Sequence, residues 1–130
     1  MEHFTSNAAQ VLILGFLVIT FLQSGLDKIL DWKGNLGWLT GHFSETLFKS
    51  MVPVLLGIVL FAEMASGVLS AVGLYELLYT GKSTFAFYGA VLSGATLLLL
   101  LFGQRLVKDY EGAKTIVVYL IPTIILLYLL

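Results

Sequence analysis

Charged residues punctuate this chain at intervals wide enough to cross a bilayer. Residues 4–26 contain no Asp, Glu, Lys or Arg, and the densest apolar stretch is 11–22. Residues 50–75 hold a single charge, Glu63. Residues 83–104 hold none and include a run of five leucines at 97–101 followed by Phe102. Residues 115–130 hold none, and Gly112 and Ala113 extend that stretch. A membrane-spanning helix needs roughly 20 mostly apolar residues. The pattern therefore predicts four spans, over about 8–28, 51–76, 84–104 and 113–130. The expected architecture is all-α: a polytopic membrane protein whose residues 1–130 form one four-transmembrane-helix bundle. The first span lacks the basic lead and small-x-small cleavage pattern of a signal peptide, Glu2 and His3 standing where cations would be, so it reads as an uncleaved helix.

The connections differ in character. In 27–49, Leu36, Leu39, Phe43 and Leu47 recur at helical spacing, with Trp38 and Phe48 beside them and His42, Ser44, Glu45 and Lys49 as the polar positions. This predicts a short interfacial helix between helices 1 and 2, with Trp38 at headgroup depth. Gly34, Gly37 and Gly41 weaken it as a free helix. Ser50 and Pro53 suit the first turn of the second span. The second connection, 76–82, reads as a tight turn, and the third, 103–114, carries Arg105, Lys108, Asp109, Glu111 and Lys114. Connections one and three share a membrane side and hold Lys28, Lys33, Lys49, Arg105, Lys108 and Lys114, against Lys82 on the other. The positive-inside rule puts the cation-rich side in the cytoplasm of an inner membrane, with both termini outside.

Composition agrees and removes several activities. Hydrophobic residues are 58%, charged residues 12%, and mean hydropathy is +0.96; soluble domains carry about 25% charged residues. Seven Lys/Arg against eight Asp/Glu give −1, which leaves no basic footprint for nucleic acid. Cysteine is absent, so there is no thiol couple or thiolate ligand. The two histidines, His3 and His42, fall on opposite membrane sides, which argues against a bis-histidine haem, and no spacing suits a metal. Nor is there a phosphate-binding loop or a nucleophile elbow.

Candidate chemistry lies in polar residues set into apolar spans. Glu63 falls near mid-membrane, where a charge costs at least ~2.5 kcal/mol, so it should face the bundle interior. Ser66, Gly67 and Ser70 share its helical face. The first span ends in a polar stripe of Thr20, Gln23, Ser24 and Asp27, with Lys28 one turn past Ser24. The third span leaves the membrane through Gln104, Arg105 and Asp109, the last two at i, i+4. These clusters share a membrane side. The candidate intramembrane polar site is therefore Glu63, Gln23, Ser24, Lys28, Gln104, Arg105 and Asp109. Glu63 is expected to point towards Gln23 and Ser24, and either to pair with Lys28 or Arg105 or to stay protonated. The plain alternative is a glutamate that only locks helices together. Gly89, Ala90, Ser93, Gly94 and Ala95 of the third span read as packing residues, and the tyrosines as an interfacial belt.

Three segments together resemble the DoxX family of small four-helix membrane proteins. They are Phe21-Leu-Gln-Ser-Gly-Leu-Asp-Lys28, Glu63 with the small-residue stretch to Gly73, and Gln104-Arg105 followed by Asp109-Tyr110-Glu111-Gly112-Ala113. The resemblance covers nearly the whole chain and rests on the order and spacing of the three segments. It implies a non-catalytic membrane subunit accessory to a quinone-linked or other respiratory complex. With no cofactor of its own, such a subunit would rely on a bound quinone or lipid, and on a larger membrane complex or homo-oligomer in the bilayer. Two other readings stand beside it: a structural or assembly subunit of a non-redox complex, and a small proton-coupled transporter using Glu63.

Overall fold

The computed structural model describes residues 2–44 and 49–130. Among these the elements are α1 (Glu2–Ser6), α2 (Ala8–Leu30), α3 (Trp32–His42), a 3₁₀ turn (Lys49–Met51), α4 (Val52–Thr80), α5 (Thr84–Leu106) and α6 (Tyr110–Leu129). There is no strand among the described residues. The four long helices α2, α4, α5 and α6 are each long and apolar enough to cross a membrane. The chain is an all-α, multi-pass membrane protein built on a four-helix bundle.

Each span buries one stripe and leaves the rest of its apolar surface to lipid. In α2 the buried residues are Val11, Leu14, Leu17, Phe21 and Gly25, one every three or four positions. Val11, Leu14, Leu17 and Phe21 meet Leu77 of α4, Ala86, Ala90 and Leu97 of α5, and Ile116 and Leu126 of α6 in one core. Outside it, Leu12, Phe61, Val118 and Ile121 are exposed, the arrangement expected when the solvent is hydrocarbon.

Helix α4 is the central element, packed on α2 and on α5, with α6 closing the bundle against α5 and α2. Small residues bring these axes together. A Cβ on Gly89 would lie 2.9 Å from the Ser70 backbone nitrogen, so α5 can approach the α4 main chain only with glycine there. Between α2 and α4 the same closeness occurs twice: Gly25 lies against the Met64 sulfur, and Gly67 lies against the Leu22 side chain.

This register has a consequence for the fold. With Gly25 beside Met64 and Gly67 beside Leu22, the end of α2 at Leu30 stands level with about residue 59 of α4. Helix α4 starts at Val52, so it overhangs α2 by about 10 Å at 1.5 Å per residue. Helix α5 runs alongside the overhang, and α3 folds back against α4 beside it.

Several boundaries depart from the sequence pattern. The second span runs to Thr80, so Glu76 is helical and the true turn is 81–83, made by Gly81 at φ 75°. Glu76 then reaches across the turn, its Oε1 accepting from the Phe85 backbone N–H at 3.1 Å. The third connection shrinks to 107–109, because α5 continues to Leu106 and α6 begins at Tyr110. The interfacial helix forms as α3, earlier than the Leu36–Leu39–Phe43–Leu47 spacing implied, because Asp31 caps it by accepting from the Gly34 N–H at 3.3 Å. Leu47, Phe48 and Glu45 of that expectation lie outside the described residues. Trp38 is exposed and stacks on His42 at 3.7 Å, with no buried residue on α3.

Candidate functional site

Helix α4 carries its buried face as Leu56, Glu63, Ser66, Gly67, Ser70, Gly73 and Leu77. A glutamate on this stripe has nowhere to go but inward. Glu63 is 1% exposed, and it sits ~16 Å along α4 from its start at the helical rise of 1.5 Å per residue. The expected inward orientation therefore holds.

Its partner comes from the last turns of α2. Lys28 Nζ lies 2.9 Å from Glu63 Oε1 and donates to Ser24 Oγ at 2.8 Å. Ser24 and Lys28 are one turn apart, and Gly25 between them removes the side chain that would hold α2 away from Met64. The lysine stem is 17% exposed, so the ammonium reaches the carboxylate from the boundary of the bundle. Oε1 meets the ammonium as an ion pair without hydrogen-bond alignment, and Oε2 has no hydrogen-bond donor among the described residues. A carboxylate so placed can accept from water or from a ligand hydroxyl or amine.

Glu63 also lines a cavity. A space of about 350 Å³ between α2, α4, α5 and α6 is lined by Glu63, Thr20, Gln23, Ser24, Asp27 and Tyr119, with apolar residues completing the wall. The entire polar stripe of the first span lines it. The cavity is polar and roomy enough for ordered water. It leads from Asp27, exposed at the end of α2, to the buried Glu63.

A second polar contact lies one turn further along α4. Ser66 Oγ is 3.0 Å from Thr96 Oγ1 of α5, while Ser66 also reaches Ala62 O at 2.7 Å and Thr96 reaches Leu92 O at 2.8 Å. Each hydroxyl has one proton, so only two of these three contacts are hydrogen bonds at once. The third span's Gly89, Ala90, Ser93 and Gly94 are buried, as packing requires, whereas Ala95 is exposed.

The Gln104, Arg105 and Asp109 group is not assembled around Glu63. Gln104 shares the wall of a separate cavity with Lys28. Arg105 is exposed and lies over the Tyr110 ring at 5.3 Å. Asp109 caps α6 by accepting from the Gly112 N–H at 3.0 Å. The expected i, i+4 pairing of Arg105 with Asp109 does not form, because Lys108 takes φ 61° and breaks the helix between them. Sequence reasoning missed this cap. The signal was present: Asp31-Trp-Lys-Gly34 and Asp109-Tyr-Glu-Gly112 repeat one pattern, and both start helices with an aspartate that accepts from the glycine N–H.

No grouping of three His, Cys, Asp or Glu side chains suited to a metal occurs among the described residues. Comparison with protein-family models, curated proteins and solved structures gives no match to this chain.

Proposed function

We propose that this chain is a DoxX-like, non-catalytic membrane subunit, accessory to a quinone-linked or other redox membrane complex. The observation that carries the reading is the convergence of the resembling motifs. The Gly25-x-x-Lys28 segment and Glu63 meet in one buried ion pair, and Gln104 shares a cavity wall with Lys28. The ion pair orders the bundle around two cavities, and a bound quinone or lipid supplies any redox or apolar chemistry. The partner is a larger membrane complex or further copies of the chain.

In this reading the protein resides in the inner membrane with both termini outside the cytoplasm. Lys28 is engaged inside the bundle and so is no topology signal. Lys33, Lys49, Arg105, Lys108 and Lys114 still outnumber Lys82.

A second reading is favoured by one observation, the presence of Glu63 among the residues that line a polar cavity. It is a proton-coupled carrier in which Glu63 binds and releases the coupling proton.

Purification in mild detergent tests the proposal. Redox enzymes and quinone recovered in stoichiometric amounts support it. A non-redox complex would replace it with an assembly role, and proton-driven solute flux by the pure protein in liposomes would replace it with the carrier.

A further inference from the structure

The overhang of α4 beyond α2 leaves a gap that α3 does not fill. Helix α3 contributes Asn35, Trp38 and Leu39 to its wall, and three glycines elsewhere reduce its bulk. The result is a second cavity, of about 410 Å³, between α3, α4 and α5. Helix α4 lines it with Val52, Leu55, Leu56 and Val59, and α5 contributes residues from its last turns, Gln104 among them. Lys28, from the last turn of α2, lies on its wall.

We propose that this cavity binds one neutral amphiphile: an apolar body with a hydrogen-bond-accepting head, such as a carbonyl, placed on Lys28. The volume is that of a small-molecule site, about 300–1,000 Å³. Lys28 has three N–H donors. One goes to Ser24 and the ammonium meets Glu63 by charge without an aligned hydrogen bond, so donor capacity remains for an acceptor in the cavity whose wall Lys28 shares.

The head is neutral by charge balance. Lys28 is the only charged residue lining this cavity among the described residues, and Glu63 already matches it. An anionic head would put one ammonium between two carboxylates in an apolar setting, and a cationic head would face the ammonium directly. An uncharged carbonyl completes the ammonium's bonding without disturbing the pair.

This names the chemical class of the bound molecule and rests on the reading of the chain as a quinone- or lipid-handling subunit. The two fail separately, because binding is read on the isolated protein and the redox assignment on what copurifies.

Trp38 lines the cavity and serves as the reporter, with Trp32→Phe removing the other tryptophan. The full chain in phosphatidylcholine nanodiscs is titrated with a brominated fatty-acid methyl ester, and separately with the corresponding free acid at neutral pH. The expected result is saturable quenching by the ester, displaced by unbrominated ester and at least about tenfold weaker with the acid, the factor that one lost charge-assisted bond or one unmatched charge gives. Val59→Phe, which narrows the cavity, should abolish saturation. Lys28→Met combined with Glu63→Gln removes the ammonium without stranding a carboxylate, and should weaken the ester about tenfold. Quenching that is unsaturable, or unchanged in the double variant, would reduce the cavity to bulk-lipid contact and overturn the proposal. Binding of the acid as tight as that of the ester would overturn it equally.

Discussion

Lys28 and Glu63, on different helices and 35 positions apart, hold their charged atoms 2.9 Å from each other inside the bundle. The contact depends on small residues as much as on charge: Gly25 lets α4 approach, and Gly67 accommodates Leu22 one turn away. The pair also stands between the polar and apolar cavities, Glu63 on the wall of one and Lys28 on the wall of the other. Lys28 and Glu63 therefore link helix packing to whatever enters either space.

Glu63→Gln should preserve the fold, since the amide keeps its size and leaves a polar carbonyl oxygen facing Lys28. Glu63→Leu should lower the thermal midpoint in detergent markedly, because Lys28 loses its acceptor in a part-buried site at a cost of about 1–3 kcal/mol. Size-exclusion profiles and melting of the two variants provide the check. Equal loss in both would mean that the carboxylate's charge, rather than a hydrogen-bonding side chain, holds the helices.

The close crossing of α4 and α5 predicts a contrast between glycines. Gly89→Ala drives a Cβ into the Ser70 backbone and should destabilise by about 1–3 kcal/mol, as overpacking does. Gly57→Ala meets nothing within 4 Å and should be neutral or stabilising by up to about 1 kcal/mol through helix propensity. Denaturant titration in mixed micelles separates the two.

The cap on α6 makes its own prediction. Asp109→Ala removes the acceptor of the Gly112 N–H and should cost about 1 kcal/mol. Gly112→Ala should cost a similar amount, because its Cβ would lie 2.6 Å from Asp109 Oδ2. The double variant should then lose little more than either single one, which unfolding of all three would show. Arg105→Gln, at an exposed position over the Tyr110 ring, should change stability by less than about 1 kcal/mol.

Much of this was legible in the residues. The gaps between charges located four spans, and Glu63 followed by Ser66, Gly67 and Ser70 marked the inward face of α4. The polar stripe of Thr20, Gln23, Ser24 and Asp27 reads directly as one cavity wall. The choice between Lys28 and Arg105 was not legible, since both leave the membrane on the same side. It is decided by tertiary register: Gly25 against Met64 brings the last turns of α2, and Lys28 with them, to Glu63, whereas Arg105 is exposed and lies over Tyr110. Nor was the apolar cavity legible. It arises from the register of α2 on α4, set by the fit of Gly25 to Met64 and of Gly67 to Leu22, and periodicity within one helix carries no information on where its neighbour stops.

Topology is open to direct test because the chain has no cysteine of its own. Ser44→Cys, at an exposed position after α3, should react with an impermeant maleimide only after the cells are permeabilised. Labelling of intact cells would invert the orientation and move both termini to the cytoplasm.

If Lys28 and Glu63 form one interacting pair, a double-mutant cycle on unfolding in detergent should register their coupling. Lys28→Met alone strands a carboxylate that is 1% exposed and should cost about 3 kcal/mol or more. Adding Glu63→Gln to it should restore most of that loss, giving a coupling energy above about 1 kcal/mol. Single-variant costs that simply add, with coupling near zero, would contradict the account.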